Sequence, residues 1–95
     1  MREDNELFHK FKELEDHPGY GINALGEVIN FNTGRILKLD SSNRGYERVT
    51  LDVQKYYIHR LVAENLVPNP NNRNKVTHVN GNNSDNFFRN LRWIN

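Results

Sequence analysis

The order of apolar patterns along the chain predicts an α+β fold: a small antiparallel sheet with an N-terminal and a central helix. Three observations predict it. Helical periodicity opens the chain; short alternating runs broken by asparagine- and glycine-rich turns follow; a second helical stretch, HRLVAENL, comes after them and is closed by prolines. At 95 residues this is one small domain with a limited core.

The first element is DNELFHKFKELED (residues 4–16). Leu7, Phe8, Phe11 and Leu14 fall near one face of a helix, Asp4 or Asn5 can cap it, and acids crowd its first turn. His17-Pro18-Gly19 is expected to stop it. Two roles are open for this amphipathic segment. It packs on the domain, or it is a docking helix whose Glu13, Glu15 and Asp16 engage a basic partner surface.

Residues 20–39 (YGINALGEVINFNTGRILKL) read as an antiparallel meander. Tyr20 and Ile22 alternate, Asn23–Gly26 turns, Val28 and Phe31 follow, Asn32-Thr33-Gly34 turns again, and Ile36, Leu37 and Leu39 complete it. A loop, DSSNRG, leads to a strand at Tyr46–Leu51, a turn near Asp52–Gln54 and a short strand at Lys55–Ile58. A helix is expected from about His59 to Leu66, with Leu61, Val62 and Leu66 facing the core and Pro68 and Pro70 ending it. The last segment reads as a strand at Lys75–Val79, a loop at Asn80–Asn86, a helical turn or extended piece around Phe87–Asn90, and a strand at Leu91–Ile94.

Composition narrows the functional classes. The chain has no cysteine, which excludes disulfides and thiolate zinc sites and suits a reducing cytosol. No apolar run reaches the length of a membrane span, and MREDNELFHK has no signal-peptide core, so the expectation is a cytoplasmic protein with no membrane partner. Residues 1–16 carry six acids and three bases, a net −3; residues 17–95 carry ten bases and six acids, a net +4. A nucleic-acid partner is compatible with that basic body. Ten of the sixteen asparagines follow Asn65, marking a loop-rich C-terminal region.

The combination of PGYGINALGEVINFNTGRILK, YERVTL, YYIHRLVAENLVPNPNN and VTHVNGNNSDNFFRNLRWIN resembles phage and bacterial HNH endonucleases of the homing type. The resemblance covers residues 17–95. It implies a nuclease-associated module over 17–40, a central strand–helix segment over 41–74 and an HNH, or ββα-metal, motif over 75–95, with residues 1–16 outside the pattern. The resemblance makes His78 the general base that deprotonates the attacking water. It makes Asn90 the structural asparagine that orients the base loop, and packs Leu91 and Trp93 beneath it. A neutral imidazole can take up a proton near neutral pH. The activity implied is phosphodiester hydrolysis with magnesium or manganese, which would stabilise the charge that builds on the phosphate.

Two departures point to a degenerate motif. Thr77 stands where the family has an Asp or Asn metal ligand, and a neutral hydroxyl is a weak ligand for a hard cation. The family's following helix, which carries a further ligand, falls beyond Asn95. The reading is therefore an HNH-related, DNA-associated protein of phage type with impaired or absent hydrolysis. The alternative is a small phage protein that uses a dead HNH scaffold to bind and redirect a host bacterial protein. Candidate DNA contacts are Arg44, Arg48, His59, Arg60, Arg73, Lys75 and Arg89, which track phosphate if they converge on one face. His59 is open to a packing or capping role as well, and Arg60 to an ion pair with Glu64 four residues on.

Overall fold

The computed structural model describes residues 6–95; Asp4 and Asn5, the expected helix caps, lie outside the described residues. Residues 6–8 are helical, but the helix expected across 4–16 does not continue. From Lys12 the chain is extended, and β1 (Lys12–Leu14) pairs antiparallel with β2 (His17–Ile22). Tertiary partners override the helical spacing. Leu14 reaches the core from the strand at 2% exposure. The Glu13 carboxylate accepts the Gly19 N–H at 3.0 Å, and the Lys12 ammonium donates to the Asn65 carbonyl at 2.8 Å. An isolated short helix is marginal in water, whereas the strand gives the same residues both a ladder and a core contact. Glu15 and Asp16 become the hairpin turn between β1 and β2. His17-Pro18-Gly19 opens a strand instead of closing a helix, and Pro18 precedes the β2–β3 pairing that begins at Tyr20, where its missing N–H costs no ladder bond to β3.

Most remaining strands follow the expected order, but Asp40–Ser41, expected as the start of a loop, is a strand paired with Arg48 and Glu47. β3 (Val28–Asn30) and β4 (Arg35–Ile36) complete a four-stranded sheet in the order β1-β2-β3-β4. β5 (Asp40–Ser41), β6 (Glu47–Leu51) and β7 (Gln54–Tyr57) form a second sheet; β8 (Lys75–His78) and β9 (Leu91–Ile94) form a third. A 3-10 turn at Phe88–Asn90 leads into β9. Asparagines build the turns, as their abundance implied. Asn23 is fully buried; its Oδ1 accepts the Leu25 and Glu27 N–H groups at 3.1 and 2.9 Å, and its Nδ2 donates to the Glu27 carboxylate at 2.8 Å.

The central helix α1 (Ile58–Leu66) joins the three sheets. It starts directly from β7 and ends at Val67, whose carbonyl accepts the Trp93 indole N–H at 3.1 Å; Pro68 then prevents continuation. Its Ile58, Leu61, Val62 and Ala63 meet Leu14, Ile22 and Val28 of the first sheet, Val49 and Leu51 of β6, and Leu91 of β9 in one buried core. Each large aliphatic side chain buried there contributes roughly 1.5–3 kcal/mol. The N-terminal aromatic residue Phe8 packs edge-on to Phe87 with ring centroids 5.1 Å apart.

The β6–β7 hairpin carries a local cost. Its two turn residues, Asp52 and Val53, have φ of 49° and 68°, and Val53 is 95% exposed. Such turns suit Asn-Gly, while a β-branched side chain in the left-handed region is strained. Val53→Gly is expected to raise stability by about 1 kcal/mol, read as a higher thermal unfolding midpoint with an unchanged fold.

Candidate active site and nucleic-acid interface

His78 ends β8, directly opposite Leu91 of β9. It is 8% exposed, so its ring is held by packing from both sides. Tyr46 lies 5.8 Å from it and His59 of α1 lies 5.0 Å from it, centroid to centroid. Tyr46 also faces His59 at 5.1 Å, so the three rings form one cluster where the loop leading into β6, α1 and β8 meet.

The polar loop after His78 is fastened by Asn90. Its backbone carbonyl accepts the Val79 N–H at 2.8 Å, and its Oδ1 accepts the Asn80 N–H at 3.1 Å. Its Nδ2 donates to the Asn80 side-chain oxygen at 3.0 Å and to the Asp85 carbonyl at 2.9 Å. One side chain thus ties the residues just after His78 to those just before Asn86. Gly81 turns the loop with φ of 77°, a conformation a side chain would strain. Asn86, 3% exposed, comes back against the histidine, with its Oδ1 2.8 Å from His78 Nε2 and its Nδ2 donating to the Glu47 carboxylate at 3.0 Å. Neither Asn86 nor Glu47 stands out in the sequence. They are 39 residues apart, and no periodic pattern links a loop asparagine to a distant strand glutamate.

His59 is buried in this cluster, not placed as a helix cap. No side-chain cap bond is made at the α1 N-terminus, and His59 Nδ1 has no hydrogen-bond partner among the described residues. Burial pushes its pKa down from 6.5 to about 4, helped by the adjacent His78 and then by Arg60. The ring is therefore neutral at physiological pH.

Of the seven basic candidates, four come together. Arg44, Arg48, His59 and Arg60, with Tyr46 and Tyr57, line a cleft of about 590 Å³. The Arg44 carbonyl is gripped by Asn83 Nδ2 at 2.9 Å, which joins the cleft to the His78 loop. Arg48 is paired with Asp40 at 2.9 Å. The Asp40 carboxyl is held below the usual carboxylate range, first by the Lys55 ammonium and then by Arg48. Arg60 pairs with Glu64 at 3.1 Å and lies over the Trp93 ring at 5.6 Å. The other three candidates are elsewhere. Arg73 borders a hollow against Trp93 and Arg92, Lys75 is at the end of β8 remote from His78, and Arg89 lies over Phe8 and Phe88 at 5.5 and 5.4 Å. The acidic residues do not form a helix face: Glu13 is bound to Gly19, and Glu15 and Asp16 are a turn.

Among the described residues no three His, Cys, Asp or Glu side chains converge on a common point. Thr77, opposite Arg92 in the β8–β9 ladder, brings only a neutral hydroxyl.

No family model matches the chain. Similar proteins carry the comparison. An uncharacterised HNH endonuclease of Acanthamoeba polyphaga mimivirus is 40% identical over 88 residues, covering 85% of this chain and 22% of that protein. A second from the same virus is 33% identical, covering 90% and 27%. The DNA endonuclease I-HmuI of Bacillus phage SP01 is 30% identical over 90 residues, covering 90% and 52%. The solved structure of I-HmuI, described as showing DNA binding and cleavage by this HNH homing endonuclease, superposes with a TM-score of 0.78. The chain is a relative of the HNH-type endonucleases. It spans about half the length of the phage relative and about a quarter of the viral ones. Its α+β architecture, with antiparallel sheets and few helices, is the fold of that solved structure.

The low pKa of His59 sets a pH dependence. The fold holds the neutral ring, so between about 4 and 6.5 the unfolded chain binds more protons. Stability is expected to fall as pH drops through that window and to lose nothing further on this account below it. Denaturant unfolding at a series of pH values should show that slope, and His59→Phe should flatten it.

Proposed function

We propose that this HNH-type chain binds DNA through the cleft lined by Arg44, Arg48 and Arg60, with His78 set beside it as the base, and that phosphodiester hydrolysis by these residues alone is impaired or absent. The observation that carries the reading is that three arginines line one cleft, which shares His59 and Tyr46 with the His78 cluster. A phosphate in the cleft would meet charge-assisted donors. If hydrolysis occurs, His78 accepts the proton of the attacking water and Asn90 keeps its loop in place. Cleavage also needs positive charge at the scissile phosphate and leaving oxygen, commonly from magnesium or manganese. The impaired reading is supported by the lack, among the described residues, of any cluster of three His, Cys, Asp or Glu side chains.

Capture of a host bacterial protein through Glu13, Glu15 and Asp16 has less support, because those residues are built into the β1–β2 hairpin and not into a free helix. A cysteine-free DNA binder of this kind suits the cytoplasm of a bacterial host, as part of the same proposal.

Binding to duplex DNA is expected to weaken steeply with salt. Arg44→Ala and Arg48→Ala should each lower the log–log salt slope by about 1, while Arg89→Ala, whose cation rests on aromatic rings, should leave binding unchanged. Supercoiled plasmid incubated with the chain and magnesium or manganese is expected to stay un-nicked. Robust nicking that His78→Ala abolishes would overturn the impaired-hydrolysis part, and salt-insensitive binding would overturn the cleft.

A further inference from the structure

The side chain of Asn86 lies between two groups that constrain it in opposite ways. Glu47, from β6, is a carboxylate and can only accept hydrogen bonds. The Asn86 amide must therefore turn its NH2 toward Glu47, as the 3.0 Å bond from Nδ2 records. Its carbonyl oxygen is then the atom that faces His78 Nε2 at 2.8 Å, and a carbonyl oxygen can only accept. The proton must be on Nε2. In the neutral ring, Nδ1 then keeps the lone pair, and the one side-chain hydrogen bond His78 makes among the described residues is through Nε2.

We infer that Glu47 and Asn86 are positioning residues for His78: they lock its ring as the Nε2–H tautomer and leave Nδ1 to accept a proton. The chain of dependence runs from carboxylate to amide to imidazole. Burial gives it force, since Asn86 is 3% and His78 8% exposed, and a reversed amide would set two donors or two acceptors face to face with little water to relieve them. The backbone fixes the amide as well as the side chains do, because Asn90 binds the Asp85 carbonyl immediately before it. Tyr46 and His59 flank the ring and restrict its rotation. The use of Nδ1 as a base rests on the function proposed above; the tautomer does not.

The test needs no hydrolysis. Ring-selective proton–nitrogen spectra of the full ¹⁵N-labelled chain, taken where the imidazole is neutral, should show His78 protonated at Nε2. That proton should be visible, in slow exchange with water and close to the Asn86 side chain. Asn86→Ala should speed its exchange by about tenfold, the scale of one buried hydrogen bond. Glu47→Ala should do so too, although Glu47 does not touch the ring, because the freed amide can reverse. Glu47→Gln, whose carbonyl can still accept from Asn86, should stay nearer the parent. A merely structural role for Glu47 would not move the ring proton in a variant that remains folded. If Asn86→Ala does not fold, Glu47→Ala decides alone. A His78 protonated at Nδ1 in the parent, or an exchange rate unchanged in folded Glu47→Ala, would overturn the inference. Loss of DNA binding or absence of nicking would bear on the proposed function and leave this readout intact.

Discussion

The site depends on the hydrogen bonds of Asn90. The segment that follows His78, from Val79 to Asn86, is polar and largely exposed, and its aromatic neighbours Phe87 and Phe88 come only after it. Ordering such a loop costs roughly 1–2 kcal/mol of backbone entropy per residue, and little hydrophobic burial offsets it. Asn90 offsets part of that cost by satisfying both ends of the loop with one side chain. Its place at the end of the 3-10 turn, one residue before buried Leu91, anchors it to the core. Without this tie, Asn86 has no fixed path back to His78, and the imidazole loses its polar partner.

The core supplies the second constraint. Three small sheets have no ladder bonds to one another, so helix α1 is the shared surface that holds them in register. The arrangement brings chemistry to one place by geometry alone. β6 brings Glu47, with Tyr46 the residue before it, α1 brings His59 and Arg60, and β8 brings His78. A buried imidazole without a partner on one nitrogen, as in His59, is a cost in such a small domain, and the fold limits it by keeping the ring uncharged.

Elements that carry their own apolar pattern were legible in the sequence. Leu91–Ile94 falls on the predicted residues, and α1 begins one residue before expectation. The segment at 12–14 was not legible as a strand. Its side chains keep helical spacing, and only the neighbouring strand and core decide the matter. The same divide runs through the site. His78, Asn90 and Thr77 could be named from a motif of contiguous residues. Arg44, Arg48 and Arg60 could be named as bases, but their grouping apart from Arg73, Lys75 and Arg89 is a property of the folded surface. Asn86 and Glu47 became visible only when β6 and the C-terminal loop were placed side by side. One asparagine among sixteen gives no local sign that it reaches a distant carboxylate.

Sequence separation has a kinetic consequence. All the ladders join strands that are neighbours along the chain, so closing each hairpin is entropically cheap and quick. The two side-chain links between the C-terminal loop and the second sheet, Asn83 to Arg44 and Asn86 to Glu47, each span 39 residues. They require both hairpins to be docked already. The imidazole environment is therefore assembled after the scaffold and can open before it. A sub-global fluctuation that lifts only the segment around 79–90 would take apart the surroundings of His78 while the aliphatic centre stayed closed.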